Sequence, residues 1–328
     1  MMDGYGRTID YMRISITDRC NLRCRYCMPE GISRVLMEEI LTLEEIVQIA
    51  ACAAELGIRH LKITGGEPLV RKGCVELIAM LKKATGIETV TLTTNGILLN
   101  ENLDGLLKAG VDGINISLDT LERERYRELT GADALNQVLF AVEAAARTPV
   151  SIKINCVSMK SRQQREEWIA VAELAKRYCV DVRFIEMMPI GHGKDFGFVS
   201  HEQVLGVLRA RYPEMVPDER KHGFGPAVYY RIPGFRGSIG FISAVHEKFC
   251  DSCNRIRLTA GGRIKMCLCY DRGVDLMPLL RGVVQDRMDN SQKIKQVIRQ
   301  AILEKPQAHC FERPEQVTEK GEMSRIGG

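Results

Sequence analysis

The chain has 328 residues, enough for one large domain or a barrel with a smaller unit appended. Its 45% hydrophobic and 27% charged residues are an ordinary globular balance, and a net charge of +4 is too weak for the concentrated basic face of a nucleic-acid protein. No segment approaches the roughly 18 apolar residues that cross a bilayer. Met1 to Asp10 is polar, without the apolar centre of a secretory signal. A cytoplasmic or similarly reducing location is therefore expected, in which the 12 cysteines are thiols or ligands.

The first strand is predicted over Tyr11–Ile16, and Arg13 and Ser15 share one of its faces. It leads into Cys20, Cys24 and Cys27, separated by gaps of three and two. Three thiolates on so tight a loop suit one iron–sulfur cluster, and three ligands leave one iron of a four-iron cluster open. A zinc loop with a distant fourth ligand, or three reduced thiols, is the alternative. A helix follows over Thr42–Leu56, with Thr42 and Glu45 as a capping box and Gly57 as its stop. The second strand, His60–Thr64, runs into Gly65-Gly66-Glu67-Pro68. Two glycines there let backbone approach a ligand closely, although the same residues also suit a plain strand-to-helix turn.

Further strands are predicted at Thr89–Thr93, Gly113–Ser117, Ser151–Cys156 and Val182–Glu186. Helices are predicted at Val75–Lys83, Leu103–Ala109, Leu135–Arg147 and Arg165–Tyr178. Strands and helices in alternation mean parallel βα units. Six strands are too few to close an eight-stranded barrel, so the expected fold is α/β, an open partial (βα)6 barrel with its chemistry at the C-terminal ends of the strands. A doubly wound flat sheet is the alternative.

Beyond Glu186 frequent Pro and Gly break the period, and the expected division is residues 1–220 for the barrel and 221–328 for a smaller C-terminal region. That region carries Cys250, Cys253 and Cys267, with Cys269 two residues further on. Counting alone permits a four-cysteine zinc site, but the spacing is not the usual pair of knuckles and favours a second cluster with three ligands. Whether Cys267 or Cys269 is the third ligand stays open. Arg255 and Arg257, two apart on an extended chain, point to one face and form a fork for phosphate oxygens. Singly, each would be a solvated surface charge. The tail from about Pro306 reads as loosely structured and ends in Gly327-Gly328, which have no side chains and can thread a narrow cavity.

The Cys20–Cys27 motif with Tyr26 before its last cysteine, followed by Gly65-Gly66-Glu67-Pro68, resembles the radical S-adenosylmethionine (SAM) enzymes. Within them Gly225-Pro226-Ala227-Val228-Tyr229-Tyr230, Gly240-Phe241-Ile242-Ser243, Cys250 to Leu258 and the terminal Gly327-Gly328 resemble the GTP 3′,8-cyclase family of molybdenum cofactor biosynthesis. The likeness runs from Arg13 to Gly328.

The resemblance implies a partial barrel of the radical SAM type, SAM, and two 4Fe–4S clusters, one on Cys20, Cys24 and Cys27, the other on Cys250, Cys253 and Cys267. It implies SAM contacts at Tyr26, Gly66, Ser117 and Met188, and GTP contacts at Arg13, Lys62, Thr93, Lys153, Arg255 and Arg257, with Arg183 lining the same cavity. Arg13, Gly327 and Gly328 would act in catalysis. Some relatives carry Arg where Lys62 stands, which keeps the charge but not the planar fork. The implied reaction takes hydrogen from C3′ of GTP with a 5′-deoxyadenosyl radical, and the C3′ radical attacks guanine C8. Implied partners are GTP, a flavodoxin- or ferredoxin-like electron donor, the next enzyme of the molybdenum cofactor pathway and a second copy in a homodimer, with no nucleic acid and no membrane. Two other readings compete. A radical SAM enzyme modifying a peptide would usually carry a seven-cysteine motif that is absent here. A non-catalytic iron–sulfur or zinc protein would need neither the glycine motif nor a barrel.

Overall fold

A computed structural model describes residues 1–31, 36–161, 163–282 and 287–326. Through Glu186 it alternates strands with helices: β1 (Tyr11–Ser15), α1 (Leu43–Glu55), β2 (His60–Thr64), α2 (Cys74–Lys82), β3 (Thr89–Thr94), α3 (Leu99–Lys108), β4 (Gly113–Ser117), α4 (Arg123–Thr130), α5 (Leu135–Ala146), β5 (Ser151–Ser158), α6 (Gln164–Ala172), α7 (Leu174–Arg177) and β6 (Asp181–Glu186). Apolar strand positions such as Met12, Ile14, Leu61 and Ile63 join Ile46, Ile49, Leu77 and Val138 of the helices in one core. The intervening positions, Arg13 and Lys62 among them, face the other side of the sheet. Thr42 and Glu45 cap α1 reciprocally, as predicted.

The predicted helix over Arg165–Tyr178 divides into α6 and α7. The α4 helix was not predicted; in Arg123–Thr130 only Tyr126 and Leu129 supply apolar packing.

After β6 come α8 (His201–Arg211), β7 (Val216–Pro217), β8 (Val228–Arg231), β9 (Ile239–Ile242), β10 (Arg255–Leu258), β11 (Arg263–Lys265), β12 (Gly273–Asp275), α9 (Met277–Arg281) and α10 (Arg287–Leu303). Strands of two to four residues carry no readable period, which is why this part resisted prediction. All twelve strands form one sheet in the order β12-β11-β10-β1-β2-β3-β4-β5-β6-β9-β8-β7. β10 pairs in parallel with β1, and β9 in parallel with β6, so the later strands extend both edges of the βα sheet. The sheet is open, with β12 and β7 at its margins.

Two expectations change. Cys20 lies just past the C-terminal end of β1, but Cys253 lies just before the N-terminal end of β10, where Arg255 is in register with Tyr11. The two cysteine sets are therefore at opposite ends of the strands, and only the first follows the C-terminal-end rule. The tail, expected to be loose, is packed. Cys310, Phe311 and Ile326 form an apolar cluster with Ile190, Val245 and Leu268. Glu319 forms a buried ion pair with Lys265, the Tyr270 hydroxyl donates to Ala308 O (3.1 Å), and the Asp271 N–H donates to Thr318 Oγ1 (3.0 Å). Polar composition suggested disorder, but these polar groups have partners.

Candidate active site between two cysteine sets

The first cysteine loop is held by the end of β2. Gly66 N–H donates to Thr17 O (2.7 Å) and Glu67 N–H to Arg19 O (2.8 Å). A Cβ on Gly66 would stand 2.3 Å from Arg19 O, and one on Gly65 2.4 Å from Thr17 O, so no larger residue permits this approach. Glu67 is buried and accepts from Leu69 N (3.0 Å), Asn95 N (2.6 Å) and Thr94 Oγ1 (2.8 Å). Burial outweighs those three bonds and pushes its carboxyl up to about 7. Asn95, fixed by Glu67, donates to Asn21 Oδ1 (2.7 Å) and lies 3.8 Å from Cys20 Sγ.

Tyr26 donates its hydroxyl to Asp119 Oδ2 (2.7 Å), and Asp119 Oδ1 accepts from Val157 N (2.8 Å). Burial pushes the Asp119 carboxyl up to about 6 against these bonds. Cys24, Tyr26, Asn95, Ser117 and Asp119 line one small cavity. Met188 is not among the residues lining it and packs on the apolar cluster of the tail, whereas Tyr26 packs on a cluster containing Leu129, Met159 and Met187. Gly327 and Gly328 lie outside the described residues. The tail before them nevertheless reaches this site: the Ser324 backbone favours the Cys27 thiolate, against the effect of burial.

Burial pushes the Cys24 thiol up and the Cys27 thiol up to about 12, and in each case another cysteine of the set adds to the effect. Three half-buried thiols with amide donors such as Leu22 N (3.4 Å from Cys20 Sγ) fit an iron–sulfur cluster, whose sulfurs accept such bonds.

In the second set, burial pushes Cys250 up, the His309 N–H opposes this, and both Cys267 and Cys253 act on it. Burial also pulls on Cys253, but Lys305 and Arg255 outweigh it and favour the thiolate. Cys269 is turned elsewhere. It is fully buried in the tail cluster, with its Sγ 3.2 Å from that of Cys310. Cys250, Cys253 and Cys267 thus lie together beside Arg255, again three thiols of the chemistry a cluster needs.

Between the two sets the sheet collects cations. Arg13 pairs in register with Lys62 on one side and Arg257 on the other. Burial lowers Lys62 far below the usual ammonium range, and Arg183, Arg13, Lys153 and Arg255 lower it further. Burial holds Arg257 at about 9, with Arg13 and Arg255 adding repulsion. Arg183 donates from Nε (2.9 Å) and Nη2 (2.6 Å) to Asn155 Oδ1. Lys153 donates to His222 O, while the His222 ring contacts Asp181 (2.8 Å) and Asp218 (3.0 Å). Thr93 Oγ1 accepts from Asn115 Nδ2 (3.3 Å). Six basic side chains so close together repel one another when charged, and a polyanion among them would favour their charged forms.

Sequence reasoning missed Arg7, Asn95, Asp119, Lys305 and His309. Arg7 is buried and donates to Cys250 O (2.8 Å), Gln307 O (2.7 Å) and Pro306 O (2.7 Å), tying the N-terminal arm to the second set. The pairing of Asp3 with Arg7 four residues on was the one local hint.

Residues 14–175 match the Radical SAM superfamily, and residues 180–311 match Molybdenum Cofactor Synthesis C. The chain is 40% identical over 329 residues to the GTP 3′,8-cyclase of Clostridium perfringens (strain SM101 / Type A), and 41% identical over 335 residues to that of Alkaliphilus oremlandii. In both cases the match covers all of each chain. Among solved structures, Streptococcus suis SuiB bound to S-adenosylmethionine shares the fold, with a TM-score of 0.61 at 13% identity over 97% of this chain and 76% of that one.

Proposed function

This chain belongs to the GTP 3′,8-cyclase family of the radical SAM superfamily, and on that premise we propose how its own residues divide the work of turning GTP into its 3′,8-cyclised nucleotide at the start of molybdenum cofactor biosynthesis. Cys20, Cys24 and Cys27 hold a cluster that, when bound, supplies the electron for reductive cleavage of SAM to methionine and a 5′-deoxyadenosyl radical. Cys250, Cys253 and Cys267 would hold a second 4Fe–4S cluster, which would supply a Lewis-acidic site for the guanine. One observation carries this reading: six cations from β1, β2, β5, β6 and β10 gather between the two three-cysteine sets.

Arg13, Lys62, Lys153, Arg183, Arg255 and Arg257 bind the triphosphate. Charge-assisted hydrogen bonds from a preformed cluster of this kind anchor GTP by its polar end, leaving the sugar and base to be positioned. Tyr26 forms a wall of the SAM pocket, its ring fixed by Asp119. Ser117 contributes a hydroxyl beside it, Gly66 offers backbone, Met188 packs against adenine and Thr93 adds a polar contact to the nucleotide. Gly327 and Gly328 complete the site with Arg13 once both substrates are bound. A buried cavity excludes stray hydrogen donors from a primary carbon radical.

The electron donor is a flavodoxin- or ferredoxin-like protein, the product passes to the next enzyme of the pathway, and the chain works in the cytoplasm as a homodimer. No described helix is long and apolar enough to cross a membrane. The deciding experiment is anaerobic reconstitution, iron and sulfide analysis, and assay of 5′-deoxyadenosine and cyclised nucleotide with and without GTP. The expected result is about eight irons per chain and product only with GTP. Full iron with no GTP-dependent product would sink the assignment.

A further inference from the structure

Lys305 follows α10 by two residues and is 3% exposed. Its Nζ donates to Met266 O (2.7 Å), next to Cys267, and its charge acts on Cys253. A buried ammonium is strongly disfavoured without an anion. Other lysines here have one: Lys265 has Glu319, and Lys248 has Glu312. Among the described residues, the ion pairs give Lys305 no carboxylate. What its Nζ does reach is the backbone of Met266, next to Cys267 in the second cysteine set.

The segment that carries Lys305 is built around the same cysteines. His309 N–H donates to Cys250 Sγ (3.4 Å), and Arg7 ties Pro306 O and Gln307 O to Cys250 O. Arg255 also acts on Cys253, but it belongs to the cation set facing the nucleotide. Lys305 bonds to the backbone beside Cys267 and acts on Cys253, so its charge serves the metal side of the site.

We propose that Lys305 is the fixed counter-charge of the second cluster, a positioning residue that acts on Cys253 and raises that cluster's reduction potential. This rests on the second-cluster reading above. Hydrogen bonds to sulfur and nearby charge set cluster potentials, and a cation favours the more negative, reduced state.

The test uses the full chain, reconstituted anaerobically, as wild type, Lys305→Met and Lys305→Arg. Iron is counted, the second cluster is titrated potentiometrically by electron paramagnetic resonance, and SAM cleavage without GTP is followed as a check on the first cluster. Lys305→Met is expected to shift the second cluster to a more negative potential and leave the first unchanged, while Lys305→Arg stays near wild type. Loss of about four irons from Lys305→Met but not from Lys305→Arg would equally support the counter-charge role. A wild-type potential in fully loaded Lys305→Met, or equal shifts or equal iron loss in both variants, would overturn it. A wild-type chain with only about four irons would instead remove the second cluster, and this proposal with it.

Discussion

The sulfurs of Cys269 and Cys310 lie 3.2 Å apart inside the apolar cluster of the tail, and Cys310 N–H donates to Cys269 Sγ at 3.3 Å. This pairing draws Cys269 out of the second cysteine set, although only one residue separates it from Cys267. Cys269→Ala is therefore expected to keep about eight irons per chain, and Cys267→Ala to lose about four. Iron analysis after anaerobic reconstitution checks this, and the opposite pattern would make Cys269 the ligand.

The two cysteine sets should separate functionally because they sit at opposite ends of the strands. Replacing Cys20, Cys24 and Cys27 together with Ala is expected to abolish 5′-deoxyadenosine formation. Replacing Cys250, Cys253 and Cys267 should leave some uncoupled SAM cleavage but no cyclised nucleotide. Chromatography of both products tests the pair of variants, and cyclised nucleotide from the second would contradict the role given to that set.

Arg255→Ala and Arg257→Ala should weaken GTP binding far more than SAM binding. A hydrogen bond to a charged group contributes roughly 1.5–3 kcal/mol, so each change should reduce GTP affinity about ten- to a hundredfold. Titration calorimetry with each ligand makes the comparison. Equal losses for GTP and SAM would indicate general misfolding.

GTP affinity should depend on pH through Lys153. Burial, with Arg183 nearby, holds its ammonium down to about 8 against the pull of Asp181. Phosphate favours the charged form, so the bound state keeps the proton to higher pH than the free one. Below about 8 Lys153 is charged in both states and adds no pH dependence; as pH rises through about 8 only the free protein loses this proton, so affinity falls and binding takes up a proton. Lys153→Arg should remove the part of the proton uptake that sets in near pH 8. Calorimetry in buffers of different ionisation enthalpy measures the proton uptake, and a level wild-type profile across pH ~7 to ~9.5 would rule it out.

Ser324 is 1% exposed and Ile326 5% exposed, so the tail is docked up to the two terminal glycines. Deleting Gly327 and Gly328 leaves Ser324 and Ile326 in the chain. It is expected to leave iron content, thermal stability and GTP affinity nearly unchanged while cyclised nucleotide falls steeply. Undiminished product from the truncated chain would reduce the two glycines to a loose end.

Short-range features of the sequence determined the βα succession, the two thiol sets and the placing of Arg255 and Arg257 two apart on one strand. Capping, strand alternation and cysteine spacing all act within a few residues, so they can be read before any contact is known. Tertiary structure decided the rest. Pairing of Tyr11 with Arg255 brings together residues far apart in the chain, sets the second cysteines at the opposite end from the first, and aligns Arg257 beside Arg13. It also chose Cys310 as the neighbour of Cys269 and brought Lys305 to Cys253. In sequence, a lysine after a helix and a cysteine two past another look like ordinary surface charge and ordinary core. What distinguishes them is which buried groups need a partner, and that is fixed only when distant segments close over the same site.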